Sequence, residues 1–374
     1  MKPIRRPAAA IAVVITATTG LLVGSGIAAG AASAGTSFIG PLHHETLVAS
    51  TVPRRGPEAG DVNPYGVAVV PHSTGRLHAG DVLVSNFNNK ANTQGTGSTI
   101  VQVSPRGHES VFATVPNLGR GCPGGVGLTT ALVTLPSGWV IVGSLPTVKG
   151  KISGPGCLIV LDSHGAVRET FTGHGIEGPW DMTAVNLGHR VSELFVTNVL
   201  GGILGKADRH GGTVQRLTIT TGPGLPRLLA STRIGSGFPA RTDPNALVIG
   251  PTGDGFGRGG TLYVADTLDN RIAAIPDAAF RRSDDGPGRT VTRGGALNNE
   301  LGLAIAPNGD ILTVNGGDGN IVETTPFGRQ IAVKTIDHNS GGGGNLFGLA
   351  VKPGADAVYF VDDFGTDNNL QLFH

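Results

Sequence analysis

The sequence predicts an all-β fold, a six-bladed β-propeller closed by an N-terminal strand that completes the last blade. Three observations predict it. A short motif recurs six times, a second apolar run precedes each copy, and a spare β-forming segment near the start matches a strand missing after the last copy. The composition agrees: 61 glycines and 24 prolines in 374 residues favour turns, and the apolar residues fall in short blocks.

The motif is three β-forming residues, a small residue, then Asn, Asp or Ser. It reads Val82-Leu83-Val84-Ser85-Asn86, Val140-Ile141-Val142-Gly143-Ser144 and Leu194-Phe195-Val196-Thr197-Asn198. It returns as Leu262-Tyr263-Val264-Ala265-Asp266, Ile311-Leu312-Thr313-Val314-Asn315 and Val358-Tyr359-Phe360-Val361-Asp362. The polar ends are 58, 54, 68, 49 and 47 residues apart, enough for one four-stranded blade each with the excess in loops. The runs expected as inner strands are residues 63–69, 125–128, 178–182, 243–248, 300–305 and 346–351. Third strands follow each polar end, as in Ile100-Val101-Gln102-Val103 and Arg271-Ile272-Ala273-Ala274-Ile275. Five copies have a fourth strand, such as Gln330-Ile331-Ala332-Val333. The sixth lacks one, and Thr46-Leu47-Val48-Ala49 is expected to fill the gap, which removes an open sheet edge.

The first residues read as an export signal. Lys2, Arg5 and Arg6 precede an uncharged stretch over residues 8–34, which ends in the small-residue site Ala32-Ser33-Ala34. Residues 1–34 are therefore assigned to a signal peptide and 35–374 to the propeller, secreted or held in the cell envelope. The alternative is a retained membrane anchor, since the stretch is long enough to span a bilayer. After cleavage no stable span remains, and 25 basic residues face 27 acidic ones, a net charge of −2. That balance leaves no electrostatic footprint for nucleic acid. Cys122 and Cys157, the two cysteines, lie in the exported part. An oxidising compartment allows a disulfide between them, the alternative being two buried thiols.

The segment Tyr263-Val264-Ala265-Asp266-Thr267-Leu268-Asp269-Asn270-Arg271-Ile272 resembles the core of NHL-repeat propellers. The Gly-Leu-Ala starts at Gly302 and Gly348 resemble that family's inner strand, and residues 362–370 repeat the turn in degenerate form. More distantly the chain is similar to gluconolactonase-like propellers. The resemblance implies the six-bladed fold. It leaves open sugar lactonase, strictosidine-synthase-like, peptide-amidating lyase and pure binding functions, because function belongs to the site rather than the fold.

Antiparallel pairing places the six polar ends Asn86, Ser144, Asn198, Asp266, Asn315 and Asp362 at one mouth, together with Asn63, Glu177, Asp181, Asn245, Glu300 and Asn345. Converging carboxylate and amide oxygens suit a divalent cation such as calcium, and Glu177, Asn198, Asp266, Asn315 and Asp362 form the candidate ligand set. The stretch His174-Gly175-Ile176-Glu177-Gly178-Pro179-Trp180-Asp181 resembles the Glu-Gly-Pro-x-Trp opening of lactonases, but lacks the residue between Pro and Trp and falls in the third copy. The same strand-end residues equally serve as turn caps, and Asp266 with Arg271 as a structural pair.

None of the 11 histidines forms an H-E-x-x-H motif, and Gly235-Ser236-Gly237 is not a nucleophile elbow. The run Gly341-Gly342-Gly343-Gly344 has no strand–loop–helix setting for a phosphate cradle. With no activated nucleophile in view, the sequence favours a secreted binding or scaffold propeller. It would be a monomer meeting an unknown small molecule, glycan or protein at the mouth. The alternative is a calcium-type metal-dependent hydrolase or lyase acting on a lactone, ester or glycan.

Overall fold

The computed structural model describes residues 36–149, 151–199, 211–244, 246–339, 344–363 and 368–374. The expected signal segment and its cleavage site lie outside these residues, as do Asn245 and residues 341–343 of the four-glycine run.

Six four-stranded antiparallel sheets make six blades, counted from the inner strand outward. Blade 1 is Val62–Val69, Val82–Asn88, Thr99–Val103 and Glu109–Thr114. Blade 2 is Leu128–Thr134, Val140–Ser144, Cys157–Leu161 and Val167–Phe171. Blade 3 is Pro179–Gly188, Val191–Asn198, Gly212–Thr220 and Leu228–Phe238. Blade 4 is Pro251–Phe256, Leu262–Asp266, Arg271–Ile275 and Arg289–Arg293. Blade 5 is Glu300–Ile305, Ile311–Asn315, Asn320–Thr324 and Gln330–Thr335. Blade 6 is Leu346–Val351, Val358–Asp362, Asn369–Phe373 and, from the other end of the chain, Glu45–Ser50.

That last pairing is the expected closure, running from Glu45 opposite Phe373 to Ser50 opposite Asn369. The residues just before it hold it in place. Phe38, Ile39 and Leu42 are buried among blade 5 and blade 6 side chains. The Glu323 carboxylate accepts the Phe38 and Ile39 amides at 2.8 and 2.9 Å and the Ser37 hydroxyl at 2.5 Å.

The core lies between blades, because each sheet buries both faces against its neighbours. Ile100, Phe112, Leu132 and Ile159 fill the space between blades 1 and 2, and Leu158, Met182, Leu194 and Leu217 that between blades 2 and 3. The expected disulfide is present: Cys122 and Cys157 are bonded and buried beside the first of these clusters.

Two expected inner strands are corrected. In blade 2 the strand starts at Leu128, where residues 125–128 had been expected to form it. In blade 4 the expected segment, residues 243–248, instead contributes to a short ribbon pairing Arg241–Asp243 with Leu247–Ile249. The inner strand is Pro251–Phe256, read Pro-Thr-Gly-Asp-Gly-Phe. Its two glycines and aspartate read as a turn, whereas Ala246-Leu247-Val248-Ile249 after Asp243-Pro244 imitates the opening of the other inner strands.

All six inner strands share one irregularity. A residue near the start of each stands opposite the polar end of the second strand, and the pairing then skips. Pro64 faces Asn86, Pro179 faces Asn198, Pro251 faces Asp266, Glu300 faces Asn315 and Leu346 faces Asp362, each followed by a one-residue bulge. In blade 2 Leu128 faces Ser144 and two residues are extra. The bulge brings neighbouring inner strands into close contact. A Cβ at Gly302 would stand 2.1 Å from the Phe347 carbonyl oxygen, and one at Gly348 would stand 2.2 Å from that of Tyr65, so these places require glycine. In blade 3 the corresponding residue is Asp181.

Candidate functional site

The strand-end residues do gather at one mouth, where each makes hydrogen bonds within the blades, while Asn86 Oδ1, Asp266 Oδ1 and Asn315 Oδ1 are buried without a partner. Asn198 Oδ1 accepts the Glu177 and Gly178 amides at 3.1 and 3.2 Å. Asn86 donates to the Thr51 carbonyl at 2.9 Å and to Thr99 Oγ1 at 3.0 Å. Asn315 donates to the Ala296 carbonyl and to Asp318. Asp362 accepts from Gln371 at 3.2 Å, and Ser144 accepts the Gly127 amide. Each side chain thus fixes a strand entry or a neighbouring turn.

Asp266 is fully buried and takes both Nε and an Nη of Arg271, at 2.8 and 2.7 Å. Burial outweighs that partner and pushes the Asp266 carboxyl up to about 6. Glu300 lies close by. Its carboxyl is raised well above the usual range, first by burial and then by Asp266, with the nearby amides and Arg271 only partly offsetting this.

Apolar side chains pack within this ring. Tyr65, Trp180, Leu301 and Phe347, which each follow the inner-strand residue paired with a polar strand end, pack with Phe87, Leu145 and Val199. Tyr65 stacks on Phe347 and Phe87 with centroids 3.9 and 4.4 Å away. Residues 246–249 of the blade 4 ribbon complete the plug, and the Trp180 indole N–H donates to the Val248 carbonyl at 3.1 Å. The candidate ligand set Glu177, Asn198, Asp266, Asn315 and Asp362 stands at strand ends around this packing. Asn198 Oδ1 accepts two amides and Asp266 Oδ2 takes Arg271, whereas Asp266 Oδ1, Asn315 Oδ1 and both Glu300 carboxylate oxygens are buried without a hydrogen-bond partner. Among the described residues no three His, Cys, Asp or Glu side chains are grouped to hold a metal.

Beyond the plug the channel widens into a cavity of about 370 Å³ lined by all six inner strands. Val67, Val69, Ala304, Ile305 and Val351 are partly exposed on it, so it opens at the end away from the mouth. Its walls are largely apolar, with threonines from blades 2 and 3 and two carboxylates, Asp181 and Asp254. Asp181 sits past the bulge, below the mouth where it was expected. Its amide donates to Thr197 Oγ1 at 3.0 Å and its carboxylate accepts the Met182 amide at 2.8 Å. Thr197 in turn donates to the Thr252 carbonyl at 2.6 Å, which ties blade 3 to the strand that carries Asp254.

Asp254 takes the register position held elsewhere by Val67, Leu132, Met182, Leu303 and Leu349. It is 4% exposed, and neither carboxylate oxygen has a hydrogen-bond partner. Burial pushes both carboxyls well above the usual range. The charge of Asp181 raises Asp254 further, whereas the Met182 and Asp254 amides oppose the shift of Asp181. Two such groups in a low-dielectric channel are poised to divide one proton, and Asp254 is the one whose oxygens have no hydrogen-bond donor. Sequence reasoning missed Asp254 because it placed the blade 4 inner strand one segment early. The signal that could have found it is the glycine-rich stretch of residues 257–260, a tight turn that makes the six residues before it the hairpin partner of Leu262–Asp266.

No protein-family model matches the chain. No curated protein matches it in sequence. Among solved structures, it is similar to a gluconolactonase from Xanthomonas campestris at 12% identity and TM-score 0.56, over 90% of each chain. It is also similar to a calcium-binding regucalcin from Agrobacterium tumefaciens at 13% identity and TM-score 0.51, over 89% of this chain and 93% of that one. A PQQ-bound aldose sugar dehydrogenase from Streptomyces coelicolor matches at 16% identity and TM-score 0.52, over 88% and 97%. At such identities the likeness establishes the propeller alone.

Proposed function

We propose that the chain is an exported propeller that hydrolyses a small neutral ester or lactone within its channel, with Asp254 as general acid and Asp181 as general base. The buried, unpartnered carboxyl of Asp254 facing Asp181 across a blade boundary carries this reading. An aspartate in an apolar register position is unfavourable for folding unless it remains protonated or meets a ligand. A protonated acid beside an ionised partner is the pairing that acid–base catalysis uses. The cavity is of a size that suits a small ligand, and the Cys122–Cys157 bridge fits an oxidising compartment.

In the proposed step, ionised Asp181 takes a proton from a water whose oxygen attacks the carbonyl carbon. Asp254 gives its proton to the ring or ester oxygen as the acyl C–O bond breaks. One water is consumed, a hydroxy acid or an acid and alcohol form, and the proton gained by Asp181 returns to Asp254 through water. The test is acid release from a panel of lactones and esters by pH-stat. Asp181→Asn and Asp254→Asn should each lower turnover by about 10²–10⁴-fold. Turnover at the wild-type rate by both variants, or none by the wild type, would return the chain to the class of binding propellers with an unassigned partner.

A second reading rests on the same oxygens. Asp254 has no protein donor, so the pair could instead hold a divalent cation such as calcium with waters at the remaining positions. Calorimetry with Ca²⁺ and Mg²⁺ separates the two: binding lost in Asp254→Asn supports the cation, and no binding by the wild type removes it.

A further inference from the structure

A second cavity, of about 340 Å³, opens beside the channel exit between blades 3 and 4. Val185, Leu187, Phe256, Ala279 and Phe280 supply its apolar walls, and Gly259 and Gly260 leave its floor without side chains. Phe256 lines this cavity and the channel alike, so the two spaces adjoin at its ring. Along the blade 4 inner strand Asp254 and Phe256 are two residues apart. They project to the same side, about 7 Å from each other by strand rise. Phe256 is fixed by stacking on Phe195 of blade 3 at 5.2 Å. Opposite it stand two side chains that folding leaves in water: Phe280 is 76% exposed and Leu187 is 38% exposed. Large apolar groups held in solvent around a pocket mark a place where an apolar ligand is received.

We infer that the substrate of the channel site is an amphiphile. Its ester or lactone head lies between Asp181 and Asp254, and an apolar arm passes Phe256 into the pocket formed by Val185, Leu187, Ala279 and Phe280. This inference rests on the hydrolase reading of the channel and adds the substrate class. Sugar-like compounds, with hydroxyls all round, would leave the pocket walls wetted and the arm site empty. The apolar arm also explains the location of the open end: a chain entering from the face away from the plug meets Phe280 and Leu187 before its head reaches the carboxylates.

The experiment measures binding without chemistry. A series of γ-alkyl γ-lactams, in which a stable amide replaces the ester, is titrated calorimetrically into the wild-type protein as the alkyl chain lengthens from methyl to octyl. The expected result is an affinity gain of up to about fourfold per methylene until the pocket is filled. That gain should be flattened in Phe280→Ser or Leu187→Ser, with the methyl member bound as before. These are surface positions, so folding should be kept. Absence of binding, an affinity independent of chain length, or a gain that survives in both variants overturns the inference. The outcome is separable from the hydrolase reading. Chain-length-dependent lactam binding with unimpaired hydrolysis in Asp254→Asn would sink the acid–base roles and leave the arm pocket. Asp254-dependent hydrolysis with flat lactam binding would do the reverse.

Discussion

Asp254 occupies in the fourth inner strand the register position that Met182 occupies in the third: each follows its bulge, opposite Val264 and Val196 respectively. Five blades put an apolar side chain there, and each is buried or half-buried against a neighbouring blade. The fold therefore carries a buried carboxyl in a place built for a hydrocarbon, one bulge away from the one inner strand that has an aspartate where four others have glycine.

The first prediction follows from that exchange. The Asp254 carboxyl titrates higher in the folded protein than in the unfolded chain, so the folded state gains most from it at low pH. That advantage is lost as pH rises past the unfolded value near 3.8 toward the raised folded value. Asp254→Asn and Asp254→Leu remove the ionisation. Both should melt higher than wild type at pH 8, by about 2–5 °C, with the difference shrinking toward pH 4. Calorimetric scans across this range provide the check. A variant less stable than wild type at every pH would show that the carboxylate is satisfied in solution.

The second concerns Arg271, which faces buried Asp266 with Glu300 close by and also donates to the Pro287 carbonyl at 2.8 Å. With Asp266 titrating at about 6, the carboxyl is largely protonated at pH 5 and ionised at pH 8. Arg271→Ala should therefore lose about 3–5 kcal/mol at pH 8, where it strands a buried charge, and distinctly less at pH 5. Urea unfolding at the two pH values measures this. An equal loss at both would mean that Arg271 stabilises through its carbonyl contacts alone.

A third prediction separates capping from metal binding at the mouth. Asn198→Ala leaves the Glu177 and Gly178 amides without their acceptor, which should lower stability by about 1–3 kcal/mol. Because the channel lies beyond the Tyr65–Trp180–Phe347 plug, ester turnover per folded molecule should stay at the wild-type value. Calcium should move the melting temperature of the two proteins equally. A calcium response present in wild type and absent from Asn198→Ala would place the cation at the mouth after all.

What the sequence made legible follows from what repeats. Six second strands ending in Asn, Asp or Ser were readable because each blade needs an acceptor or donor at that corner, and the same residue types are the ones that ligate a hard cation. The closing strand was readable from the copy that lacked a partner. The plug was not: Tyr65, Trp180, Leu301 and Phe347 are ordinary core residues in the one-dimensional pattern, and their convergence depends on a bulge that leaves no spacing signal. Asp254 was hidden for a related reason. Its strand is so rich in glycine and threonine that the apolar ribbon before it won the assignment, and that ribbon turned out to be part of the plug.

The last prediction tests how the ring is held shut. Removing residues 36–50 takes away the outer strand of blade 6, the buried Phe38, Ile39 and Leu42, and the donors that Glu323 receives. Asn369–Phe373 then becomes a free edge whose unpaired amides and carbonyls can template another chain. The truncated protein should elute as dimers and larger species in size-exclusion chromatography. A synthetic peptide of residues 36–50 should restore the elution volume of the full chain, because the register from Glu45 to Ser50 and the Glu323 clamp together define one seating. The same peptide with Phe38 and Ile39 changed to serine should restore it poorly, since the strand alone offers backbone pairing without the apolar anchor. A truncated chain that elutes and melts as the full one does would show that five complete blades and an open sixth suffice, and that the closing strand contributes little to the ring.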